Sequence, residues 1–187
     1  MTKEEFTDYL YEYGYSYGIK GTQIVINDNR SMWLEDLESL PEGITFNNKG
    51  SVFLASLESL PRGIKFQNSG NVDLDFLESL PKDTGFNNNG YVKLGSLKSL
   101  PEGIEFNNSG YVSLSSLKSI PEGVKFNNGK GVVLHSLKGT EGLSKGVRFK
   151  EDDEFYIIDI RDKQKKIGIK GISNARILNF LIQYLYE

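Results

Sequence analysis

The sequence predicts a mainly β fold, a right-handed repeat solenoid of about six 20-residue coils closed by helical and hairpin caps. Three observations carry this expectation. Pro41, Pro61, Pro81, Pro101 and Pro121 recur every 20 residues without a slip. The residues around them repeat as L-x-S-L-P-x-G-I-x-F-N-N-x-G-x-V-x-L-x-S, and a degenerate first copy keeps Ile24, Ile26, Met32, Leu34, Leu37 and Leu40 in register. Within each unit, apolar residues alternate with period two and then break that period at a corner, which describes extended chain bent into a coil.

The boundaries follow from where the repeat begins and ends. Residues 1–21 precede it, residues 22–139 carry it and residues 140–187 follow it, all within one structural domain. Thr2 and Glu5 have capping-box spacing, and Phe6, Tyr9, Leu10 and Tyr13 follow at helical intervals before Gly14, so a helix is expected over residues 3–13. The competing reading is a strand, because Tyr9, Tyr11, Tyr13, Tyr15 and Tyr17 also alternate. After the repeats, FYIIDIRDKQKKIGIKGI reads as a hairpin, and Ile177, Leu178, Leu181, Ile182 and Leu185 share one face of a helix starting near Ser173. Both ends are expected to cover the exposed edges of the stack.

Inside a unit, Ile44, Phe46, Val52 and Leu54 point to the core, and Pro41-x-Gly43 and Asn47-Asn48-x-Gly50 make the two corners. A single coil buries too little apolar surface to offset the backbone entropy it gives up, so the coils must stack, about 4.8 Å apart. Stacking would bring Phe46, Phe66, Phe86, Phe106 and Phe126 into one internal column. Asn48, Asn68, Asn88, Asn108 and Asn128 would form an amide ladder that satisfies corner backbone groups.

The 20-residue period and the L-P-x-x-I step, as in Leu40, Pro41 and Ile44, resemble short bacterial leucine-rich repeats over about two thirds of the chain. Leu57 stands where that family usually places an asparagine, and the Phe-Asn-Asn-x-Gly corner is foreign to it, so a two-sided β-solenoid is the alternative. The resemblance implies protein binding. The S-L-P-E-G repeats are similar to those of bacterial and phage proteins, and a more specific form of the same reading is an inhibitor, carried by a phage or mobile element, of a host defence complex.

Composition narrows the chemistry. There is no cysteine, and His135 is the single histidine, so disulfides, thiolate sites and multi-histidine metal centres are excluded. No P-loop and no calcium-binding nonapeptide repeat is present. No cofactor is expected. The start of the chain lacks the pattern of a secretory signal and no stretch is long and apolar enough to span a membrane, so a cytoplasmic protein without membrane contact is expected. The best argument for an enzyme is Asp73 and Asp75, two apart on one strand face with Lys93 one coil on, a spacing compatible with carbohydrate-active carboxylate chemistry. Any exposed D-x-D produces that spacing, and the expectation is a protein that is not an enzyme.

The outward positions point to binding. Trp33, Phe53, Asp73, Lys93, Ser113 and Val133 fall in one exposed column, with Tyr91 and Tyr111 on one flank and Asp75 and His135 on the other. Positions that define the repeat are uniform, whereas these vary and combine large aromatics with charges, as interface hot spots do. A separate column reads Glu38, Glu58, Glu78, Lys98, Lys118, Lys138 and changes sign halfway. The net charge of −3 accordingly divides into −7 over residues 1–90, +5 over 91–150 and −1 thereafter. Such a separation can orient a partner. A protein partner is expected, with nucleic acid or a nucleoprotein complex on the basic half as the alternative.

Overall fold

A computed structural model describes residues 1–137, 144 and 148–149. The first element is α1 (Lys3–Glu12), started by the capping box: the Thr2 side chain accepts the Glu5 N–H at 3.1 Å and Glu5 Oε2 accepts the Thr2 N–H at 2.7 Å. The helix ends one residue short of the expected 13, and Gly14 leaves it at φ +65°. Phe6 and Leu10 are buried and Tyr9 packs against the core, while Tyr13, expected on the same face, is exposed and stacks on Tyr9 at 4.5 Å.

A hairpin absent from the sequence expectation follows: β1 (Tyr17–Lys20) pairs antiparallel with β2 (Gln23–Ile26). From β2 onward the chain coils. One side of each coil supplies β4 (Ile44–Phe46), β6 (Lys65–Phe66), β8 (Gly85–Phe86), β10 (Glu105–Phe106) and β12 (Lys125–Phe126), which extend β2 as a parallel sheet A. The other side supplies β3 (Met32–Trp33), β5 (Val52–Phe53), β7 (Val72–Asp73), β9 (Val92–Lys93), β11 (Val112–Ser113) and β13 (Val132–Val133), a six-stranded parallel sheet B. Pairings between successive coils from β2 to β13 advance by 20 residues, as in Phe46↔Phe66 and Val72↔Val92. Two sheets of stacked parallel strands make this a two-sided β-solenoid of about six turns.

β14 (Arg148–Phe149) adds to β12 in parallel register, so sheet A continues past the last repeat, and the Ser144 N–H donates to the Ile120 carbonyl at 3.1 Å. The expected hairpin over residues 155–172 and the terminal helix lie outside the described residues, as does Lys138.

The interior is ordered by column. Phe46, Phe66, Phe86, Phe106 and Phe126 are fully buried and stack with centroids 5.2–5.5 Å apart and planes within 14°. Valine and leucine columns from sheet B face them across the coil. Thr84 interrupts the isoleucine column; its Oγ1 donates to the Pro81 carbonyl at 3.0 Å, so the buried hydroxyl is satisfied.

The asparagine column satisfies corner backbone groups as expected, through bonds to carbonyls and not through amide-to-amide rungs. Each buried amide Nδ2 donates to backbone carbonyls at the corner of its own coil and of the coil before, as Asn88 does to Tyr91 at 3.2 Å and Gly70 at 3.1 Å. Amide-to-amide rungs occur one residue earlier, on the exposed side: Asn47 donates to Asn27 at 3.1 Å and Asn127 to Asn107 at 2.8 Å. The buried side chain points at carbonyls because corner backbones approach closely there. A Cβ on Gly70 would lie 2.5 Å from the Ser51 nitrogen, which is why that corner needs glycine.

The first coil carries Asp28 where later coils carry this asparagine. Its carboxylate accepts the Ser16 and Arg30 N–H groups at 2.8 Å and is paired with the Arg30 guanidinium at 2.9 Å. The hydrogen bond from the Arg30 side chain, with help from the backbone donors, holds the Asp28 carboxyl well below the usual carboxylate range despite its burial. The column ends in a charge because donors from Ser16 of the N-terminal cap and from Arg30 meet it there.

Candidate functional site

The exterior of sheet B is built by alternation. Val52, Val72, Val92 and Val112 are buried, so their successors in each two-residue strand face out. This places Trp33, Phe53, Asp73, Lys93, Ser113 and Val133 in one outward column, as expected from the sequence, with rungs Trp33↔Phe53, Phe53↔Asp73 and Asp73↔Lys93.

The column has an aromatic end and a charged middle. Trp33 is 57 % exposed and stacks on the Phe53 ring at 4.2 Å, with planes 14° apart. The Trp33 N–H is held by the Tyr15 hydroxyl at 3.2 Å, and the Arg30 guanidinium lies 4.8 Å over the Tyr15 ring, so the cap braces this end of the face. In the middle, Lys93 Nζ meets Asp75 at 2.9 Å and Asp73 at 3.5 Å. The bond to Asp75, outweighing partial burial, raises the Lys93 pKa.

Both carboxylates are occupied in holding the backbone as well. Asp73 Oδ1 accepts the Asp75 N–H at 3.2 Å, and Asp75 Oδ1 accepts the Gly95 N–H at 2.9 Å. A Cβ at position 95 would lie 2.3 Å from that oxygen, so Gly95 permits the bond. Two carboxylates tied to one lysine and two amides act as acceptors, an arrangement suited to a structural pair.

On the flank, Tyr91 and Tyr111 are exposed in adjacent coils, and Lys130 Nζ lies 5.6 Å over the Tyr111 ring. The equivalents of position 130 in the four preceding coils are Gly50, Gly70, Gly90 and Gly110; here Gly129 makes the close corner approach and frees position 130 for a side chain. His135 is exposed at the opposite flank of the last full coil. Lys98 and Lys118 stand apart from this face, in the charge-switch column, where with Glu78, Ser96 and Ser116 they line a groove of about 540 Å³. Lys98 pairs with Glu78 at 2.5 Å.

Sequence reasoning missed four exposed side chains: Phe76, Tyr11, Ile19 and the outward-facing Tyr13. The signal for Phe76 was present, because the other equivalent positions after the first coil are Ser56, Ser96, Ser116 and Ser136. Ile19 gave none, since its exposure depends on the direction of β1. Among the described residues no three His, Asp or Glu side chains cluster to hold a metal ion, and no helix is long and apolar enough to cross a membrane. Comparison of the chain with protein-family models, with curated proteins and with solved structures finds no match.

Proposed function

We propose that this protein binds another protein through the exterior of sheet B and performs no chemistry of its own there. The observation that carries the reading is the exposed Trp33–Phe53 stack at the head of a column that continues into the Lys93–Asp73–Asp75 cluster. A rigid, preorganised aromatic pair beside charges has the make-up of an interface hot spot, and it loses little side-chain entropy on binding because the stack is already formed. Solenoid faces offer broad surfaces of this kind.

The two alternatives have less support. Carboxylate catalysis would require an available acid, and both aspartates are engaged. Nucleic-acid binding would draw on the basic half, yet three of its lysines, Lys93, Lys98 and Lys125, already pair with acids one coil earlier, the last with Glu105 at 2.6 Å.

Affinity capture with the full chain tests the proposal. The wild type is expected to retain a stoichiometric protein that Trp33→Ala and Tyr91→Ala lose, each weakening binding by about 2 kcal/mol without unfolding. Normal capture by both variants, or glycan turnover abolished by Asp73→Asn, overturns it.

A further inference from the structure

We infer that a second copy of this chain docks antiparallel on the corner that carries Phe76 and the charge-switch column. This surface is separate from the sheet B exterior, and the inference does not depend on the function proposed above.

Phe76 is 63 % exposed and departs from the serines at its repeat positions. Backbone bonds from the Ser96 N–H to the Asp75 carbonyl at 3.1 Å and from the Lys98 N–H to the Glu78 carbonyl at 3.2 Å keep the corner in strict 20-residue register. Phe76 therefore stands one coil before Ser96, beside the groove lined by Glu78, Ser96, Lys98, Ser116 and Lys118. The column alongside reads Glu38, Glu58, Glu78, then Lys98, Lys118. Only its central pair, Glu78 with Lys98, is closed within the chain; Glu38, Glu58 and Lys118 are exposed and make no ion pair among the described residues.

A column that reverses sign at its midpoint is complementary to its own antiparallel copy. A twofold axis lying in the interface, across the stack between the coils of Glu78 and Lys98, inverts the order of coils and keeps each column opposite itself. That one operation sets Glu78 opposite Lys98, Glu58 opposite Lys118, and Phe76 opposite Ser96 of the other copy, where the groove lies. The aromatic side chain meets the concavity and each acid meets a base, twice over. Exposed ion pairs are weak individually, so Phe76 supplies the association and the charges supply its register.

Sedimentation of the full chain over a concentration series provides the test. The wild type is expected to dimerise, more weakly as salt rises. Phe76→Ser restores the repeat's own residue at an exposed position and is expected to weaken the dimer by more than about tenfold. Glu58→Lys and Lys118→Glu are each expected to weaken it by about threefold to tenfold, and the double variant to recover wild-type association. Residues 58 and 118 are three coils apart, about 14 Å, too far to pair within one chain, so recovery requires an antiparallel partner. A monomeric wild type at every concentration, a dimer indifferent to Phe76→Ser, or a double variant no better than the singles each overturns the inference.

Discussion

The two sheets share one repeat and one core, yet their exteriors have diverged. Beside sheet A runs a uniform polar column, Asn27, Asn47, Gln67, Asn87, Asn107 and Asn127, all exposed, with amide rungs at Asn27–Asn47 and Asn107–Asn127, although the outward positions of the strands themselves vary from Val25 to Lys125. Sheet B presents a different side chain in almost every coil, from Trp33 to Val133. Interior positions in both are held constant because each side chain packs against its own image one coil away, so a change in one coil is felt in two neighbours. Outward positions have no such partner across the core. Where an exterior is uniform it satisfies itself; where it varies, stacking has not dictated the choice.

That contrast is broken most directly from the inside. Phe86→Ala opens a gap in the middle of the phenylalanine column and is expected to cost about 3 to 5 kcal/mol, measured as a drop in urea midpoint at unchanged slope. An unchanged midpoint would mean that the column does not set stability. Asn88→Asp is expected to cost about 2 to 4 kcal/mol at neutral pH, because a carboxylate there faces the Gly70 and Tyr91 carbonyls without a donor. Its carboxyl pKa is raised by that environment, so the loss should shrink as the pH falls and the group protonates.

Asp28 sharpens the same comparison with the opposite sign. Its pKa is depressed in the folded chain, so its contribution is present above the unfolded value of about 3.9 and is lost as pH falls below it. Asp28→Asn is expected to cost about 1 to 2 kcal/mol at neutral pH and to flatten the stability profile below about pH 4. Equal acid sensitivity in wild type and variant would place the effect elsewhere. Smallest of all, Asn107→Ser on the sheet A exterior is expected to change stability by no more than about 0.5 kcal/mol, since water replaces the lost rung. A larger change would show that the exposed ladder supports the fold as the buried column does.

The period, the inward columns, both corners and the capped helix were legible in the residues, because each depends on local geometry repeated at a constant interval. A proline corner every 20 residues, with glycine two residues on in every such coil but that of Asp83, admits one register, and alternation then decides which side chains are buried. The outward column from Trp33 to Val133 followed from the same alternation. Other features depended on distances between coils. The buried amides donate to backbone carbonyls at the glycine corners of their own coil and the one before, and no spacing in the sequence states that. The sequence placed Lys93 one coil on from Asp73 and Asp75, but its bonds to both and the hold of the Gly95 amide on Asp75 follow only from the distances. The Asp28 carboxylate, the β1 hairpin and the groove beside Phe76 likewise exist only where separate coils or the cap meet. Local periodicity determined what repeats; tertiary packing decided which polar groups of different coils satisfy one another, because partners such as Ser16 with Asp28 and Gly95 with Asp75 lie 12 and 20 residues apart in sequence and less than 4 Å apart in space.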